Sequence, residues 1–96
     1  LERFAGCRWM ELPGGAPGEA AFLFEALSLV VFGDAIVNLP GRTLELLPAK
    51  YCEDSVRLAD SLRELLRQWR FSHAVCAHGN PLLGGADAKL GALLKA

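Results

Sequence analysis

The sequence predicts an α/β domain, and three observations lead there. Short apolar runs broken by Pro and Gly fill the first half of the chain. One strongly amphipathic stretch occupies residues 54–69. A further apolar run, residues 73–77, then feeds a second helical stretch near the end. The 96 residues have the size of one small domain, and no repeat or linker divides them.

Taken in order, Arg8-Trp9-Met10-Glu11-Leu12 reads as a short strand that stops at Pro13-Gly14-Gly15. Pro17-Gly18 completes a loop rich in residues that tolerate unusual backbone angles. Residues 19–24 and 29–32 are apolar runs with β-branched or aromatic members, expected as two strands. Glu25-Ala26-Leu27-Ser28 between them has the length of a hairpin connection. Leu39-Pro40-Gly41-Arg42 is a turn, and residues 44–47 form a further short strand closed by Pro48.

From Asp54 the period changes. Val56, Leu58, Ala59, Leu62, Leu65, Leu66 and Trp69 recur at three- and four-residue steps, with Arg57, Asp60, Arg63, Glu64, Arg67 and Gln68 on the other face. Asp54 or Ser55 is the expected cap. His73-Ala74-Val75-Cys76-Ala77 reads as a buried strand broken by His78-Gly79-Asn80-Pro81. Gly84-Gly85 opens a last helix with Ala86, Leu90, Leu93 and Leu94 on one side.

Composition removes several functions. Ten Lys+Arg against 11 Asp+Glu leave a formal charge of −1, which offers nothing to phosphate backbones or anionic membranes. Neither nucleic acid nor membrane is therefore an expected partner. The longest apolar stretch, residues 20–32, spans 13 residues and is too short for a membrane helix of ~20. Cys7, Cys52 and Cys76 are odd in number and form no C-x-x-C pair, as expected of reduced thiols in a cytoplasmic protein. An apolar content of 52% exceeds what a lone small domain needs and predicts a surface buried against a partner.

Candidate chemistry gathers at two strand ends. Asp34 follows Leu29-Val30-Val31-Phe32-Gly33, and His78 follows Ala74-Val75-Cys76-Ala77, with Gly33 and Gly79 beside them. Folds of this class put sites at such ends, where a strand fixes the backbone and a loop leaves room. A carboxylate and an imidazole there are candidate zinc ligands. A lone Asp after a strand also serves as a turn or cap residue, and a lone His as a structural one. The glycines make no phosphate-binding pattern, and Ser28, Ser55, Ser61 and Ser72 lack nucleophile-elbow glycines.

In order along the chain, three segments resemble the C-terminal half of the metallo-β-lactamase-like hydrolase superfamily. Pro13-Gly14-Gly15-Ala16-Pro17-Gly18 is similar to its P-G-x-x-P-G loop. Gly33-Asp34 is similar to the aspartate that bridges two metals, and Ala77-His78-Gly79 with Pro81 to its final histidine ligand. The resemblance spans roughly residues 8–94 and implies half of an αββα sandwich, a small sheet with two helices on one face. It also implies Asp34 and His78 as metal ligands, flanked by Gly33 and Gly79.

Departures from the family pattern shape the functional expectation. The family's leading H-x-H-x-D-H segment has no counterpart, since His73 and His78 are the only histidines. The third histidine would fall at Gly15. Two donors do not hold a zinc ion, so no cofactor is expected for the isolated chain, and zinc only where a complete site is assembled. Two functions stay open. One is a degenerate, non-catalytic assembly or binding module. The other is a metal-dependent hydrolase half whose missing ligands come from an upstream segment or a partner chain. Residues 19–24 and 29–32 are apolar on both faces, which predicts a homodimer through the sheet face that the helices leave uncovered.

Overall fold

The computed structural model describes residues 3–4 and 6–95. Strands β1 (Arg3–Phe4), β2 (Cys7–Glu11), β3 (Ala20–Phe24) and β4 (Leu29–Phe32) form an antiparallel meander. The chain continues through β5 (Ile36–Asn38) and β6 (Glu45–Leu46) to helix α1 (Ser55–Gln68). Strands β7 (His73–Val75), β8 (His78–Gly79) and β9 (Leu82–Leu83) follow, and helix α2 (Ala86–Lys95) comes last. A six-stranded sheet has the order β1-β2-β3-β4-β7-β9, with β7 parallel to β4 after the α1 crossover. A three-stranded sheet has the order β6-β5-β8, with β8 parallel to β5.

Both sheets share two continuous paths. β4 leaves the large sheet and, after Gly33-Asp34-Ala35, enters the small one as β5. Its parallel neighbour β7 does the same after Cys76-Ala77, becoming β8. The N–H of Ala77 donates to the Gly33 carbonyl at 3.0 Å, so the two steps lie side by side. Of this small sheet the sequence reading had only β6, within the strand expected at residues 44–47, and left out β5 and β8. Strands of two or three residues carry no period, and His78-Gly79, read as a break, pairs with Val37 and Asn38. Gly79 makes the pairing possible: its φ is +115°, and a Cβ there would run into the Asn38 carbonyl oxygen.

Helix α1 begins as expected. The Asp54 carboxylate accepts the Arg57 N–H at 3.1 Å and satisfies one of the free donors of the first turn. Leu58, Leu62, Leu65 and Trp69 then fall on one stripe and are almost fully buried. They pack with Ala21, Leu23, Val30, Phe32 and Ala74 from the large sheet, and with Ala86, Leu90 and Leu94 from α2. Each such leucine contributes roughly 1.5–3 kcal/mol by leaving water. Val56 departs from the expected stripe and is 71% exposed, because two residues along a helix turn a side chain nearly to the opposite face from Leu58. On the outer face Arg63 pairs with Asp60, and Arg67 with Glu64. Hydrogen bonds from Gln68 and Arg67 hold the Glu64 carboxyl below the usual carboxylate range.

The large sheet is covered on one face only. Its buried residues alternate along β3 and β4: Ala21, Leu23, Val30 and Phe32. The intervening residues form a cross-strand row, Trp9 opposite Phe22, Phe22 opposite Val31, and Val31 opposite Val75. Phe22 is 41% exposed, and its ring stacks on Trp9 at 6.5 Å between centroids. Leu83, opposite His73 at the edge, is 70% exposed. Among the described residues no helix is long and apolar enough to cross a membrane.

Cys7, Cys52 and Cys76 are free thiols. Burial, and then the negative charge of Asp54, push the Cys52 thiol above its ordinary range. Its Sγ–H donates to the Leu47 carbonyl at 3.4 Å. Alkylation of Cys52, followed by mass spectrometry across a pH series, should therefore rise at higher pH than for a free small-molecule thiol. Asp54→Asn should move the profile part of the way back.

Candidate functional site

Asp34 and His78 sit at the paired steps between the two sheets. Strand β4 delivers Asp34 and strand β7 delivers His78, and the parallel register of these strands sets the two residues side by side. His78 Nε2 stands 3.0 Å from Asp34 Oδ1. Both side chains are open to solvent, at 59% and 43% exposure. Water screens such a pair, so it fixes geometry more than it stabilises the fold.

The surrounding backbone is closely held. Asn38 Nδ2 donates to the Asn80 carbonyl at 2.8 Å, and the Asn80 N–H donates back to the Asn38 carbonyl at 2.8 Å. The Cys76 thiol donates to the His78 carbonyl at 3.3 Å. His73 opens β7, and its Nδ1 accepts the Gly84 N–H at 3.0 Å.

The glycine-rich loop reaches the same region from α1. The N–H groups of Glu53 and Asp54 donate to the carbonyls of Gly15 and Gly14, and Ser61 Oγ donates to the Pro13 carbonyl at 2.7 Å. Gly15 is buried, and a Cβ there would lie 3.3 Å from Leu58 Cδ1 and 3.4 Å from Glu19 Cγ. Glu19 is the residue that sequence reasoning missed. Its carboxylate accepts the N–H groups of Gly33 at 3.1 Å, Asp34 at 3.2 Å and Ala35 at 3.3 Å. Nothing in its spacing marked it, because the partners lie fourteen to sixteen residues away across a hairpin.

As a metal centre the arrangement is short of donors. Among the described residues no three His, Cys, Asp or Glu side chains gather closely enough to hold a metal ion. Asp34 and His78 supply two, Gly15 has no side chain to add, and Glu19 is engaged by backbone N–H groups. A structural or catalytic zinc takes three or four protein ligands, so these residues by themselves do not fit one. A cleft of about 630 Å3 lies elsewhere, between β2 and α1, lined by Arg8, Met10, Arg57, Glu64 and Arg67 among others. Neither Asp34 nor His78 borders it.

The meander joined through a helical crossover to a parallel strand has the metallo-β-lactamase-like fold, as superposition on two solved structures shows. The chain superposes on a metallo-β-lactamase superfamily protein from the archaeon Sulfolobus tokodaii with a TM-score of 0.70, at 16% identity, over 93% of this chain and 32% of that one. It superposes on a metallo-β-lactamase family protein from Thermus thermophilus with a TM-score of 0.64, at 23% identity, over 93% of this chain and 29% of that one. The chain thus spans about a third of the length of each. At these identities the likeness establishes the fold. No family model and no curated protein sequence matches the chain.

Proposed function

We propose that this chain is a degenerate metallo-β-lactamase-like domain that is not catalytic alone and works as an assembly module, pairing with a second copy of itself through the open face of the large sheet. The observation that carries the reading is the uncharged Trp9–Phe22–Val31–Val75 row, with Phe22 exposed and the other three half-buried, on the side of the sheet opposite its buried residues. An uncharged apolar row is complementary to itself, which suits a two-fold dimer, and the one β2 charge on the same face, the exposed Glu11 opposite Ala20, sits at its margin. Covering it removes apolar surface from water at about 25 cal/mol per Å2. The near-neutral chain adds little repulsion between copies. Neither nucleic acid nor membrane is a partner in this reading, and the free thiols suit a cytoplasmic setting.

A second reading is favoured by the Asp34–His78 contact. There the two residues, flanked by Gly33 and Gly79, are part of a metal-ligand set whose other members come from an upstream segment or a partner chain. Zinc then belongs to the assembled hydrolase and not to this chain.

Light scattering coupled to size exclusion at micromolar concentration tests the first reading. The expected mass is twice the 10.3 kDa of one chain, and Phe22→Asp should halve it while leaving the far-ultraviolet dichroism unchanged. A wild-type chain at 10.3 kDa throughout the micromolar range overturns the reading.

A further inference from the structure

We propose that Glu19 is a positioning residue, an anionic clasp whose carboxylate holds the backbone of residues 33–35 and thereby sets Asp34 against His78. The inference stands apart from the assembly reading, because it concerns the joint between the sheets and not the open face.

Three consecutive N–H groups converge on one carboxylate, at 3.1, 3.2 and 3.3 Å. Oxygen Oε2 takes Gly33 and Ala35, and Oε1 takes Asp34. Successive N–H groups turned to one side form a concavity for an anion, and a charged acceptor makes such bonds about twice as strong as neutral ones. Here the anion is supplied from within the chain.

The berth is shaped for that side chain. A Cβ on Gly33 would lie 2.9 Å from Glu19 Oε2, too close for the carboxylate to keep its place. A Cβ on Gly15 would press on Glu19 Cγ at 3.4 Å and on Leu58 Cδ1 at 3.3 Å. Both positions that crowd Glu19 are therefore glycine. The backbone of Glu19 is pinned as well, its N–H donating to the Ala16 carbonyl at 3.1 Å and its carbonyl accepting the Leu12 N–H at 2.9 Å. On the far side, Gly33 and Ala35 carbonyls accept the N–H groups of Ala77 and Leu47. The loop that carries Asp34 is thus tied on one side to the strand path leading to His78 and on the other to Glu19.

Native-state amide exchange and the His78 ring signals, both read by NMR, test the clasp. Glu19→Ala should speed exchange at Gly33, Asp34 and Ala35 by roughly tenfold or more, while Val30 and Leu62 change little. The His78 ring nitrogen signals should shift as the 3.0 Å contact to Asp34 loosens. Glu19→Gln, equal in size but with one donor amide in place of an acceptor oxygen, should give the same pattern at smaller amplitude. It also serves as the variant of choice if Glu19→Ala does not fold. Exchange that rises no more at residues 33–35 than at Val30 and Leu62, or His78 signals that stay in place, would overturn the proposal.

Discussion

Gly14→Ala is expected to lower the melting temperature by about 10 °C or more, read by circular dichroism at 222 nm. Gly14 has φ +100°, a conformation that L side chains rarely adopt. The space is also taken. A Cβ there would lie 2.6 Å from the Asp54 carbonyl oxygen and 2.8 Å from the Arg57 carbonyl carbon, and would overlap the Leu58 nitrogen. All three are backbone atoms of the capped first turn of α1, so no side chain can swing aside. The only relief is to lift the loop away, which breaks the Asp54 N–H bond to the Gly14 carbonyl at 2.9 Å and strains the neighbouring bond from Glu53 to Gly15. Strain plus lost docking should cost about 3 kcal/mol or more, a large share of the ~5–15 kcal/mol that holds a domain of this kind together. Gly18→Ala is the matched control. Gly18 also has positive φ, +76°, but nothing lies within 4 Å of its Cβ position. Its variant should lose only the conformational part, ~1 kcal/mol. Equal melting shifts for the two would refute the close docking of the glycine-rich loop on α1.

Leu62→Ala should destabilise the chain by about 2–5 kcal/mol. Leu62 is 0% exposed at the centre of the α1 stripe, flanked by Leu58 and Leu65, in the cluster that joins the large sheet to both helices. Removing three carbons there forfeits their transfer energy and leaves a void that rigid neighbours close only in part. In urea the midpoint should fall while the slope stays constant, the mark of a change in stability without a change in the surface exposed on unfolding. Val56→Ala, earlier on the same helix and 71% exposed, should stay within ~0.5 kcal/mol of wild type. Similar losses at both positions would contradict the burial assigned to the stripe.

How far the sequence revealed this structure depended on the length of each signal. Helix α1 spans fourteen residues with a repeating apolar stripe, and its cap and extent were legible to within a residue. Strands β2, β3 and β4 were legible from their apolar runs, each within a residue at either end. Strands β5, β8 and β9 were not. Two or three residues have no period, and their pairing is decided by chain paths that only the fold defines. The expected hairpin link at Glu25-Ala26-Leu27-Ser28 is a single 3-10 turn closed by Ser28 at φ 50°. Asp34 and His78 could be singled out because each ends a buried run beside a glycine. That they meet at 3.0 Å follows from the parallel register of β4 and β7, which no local pattern encodes. Glu19 was invisible for the same reason, since a carboxylate opening the expected strand 19–24 marks nothing until its three backbone donors are seen. The reading of β3 and β4 as apolar on both faces did carry through to the fold, where one face meets the helices and the other presents Phe22 and its neighbours.

Quenching of tryptophan fluorescence by acrylamide, measured from nanomolar to tens of micromolar protein, tests assembly through that open face most directly. Trp69 is 4% exposed within the core and is shielded in any folded state, so the accessible signal belongs to Trp9 beside Phe22. Pairing through the sheet predicts that quenching weakens and the emission moves to shorter wavelength as concentration rises, and that Phe22→Asp abolishes both changes. Quenching and emission that do not vary with concentration, with Trp9 open to acrylamide throughout, would contradict it.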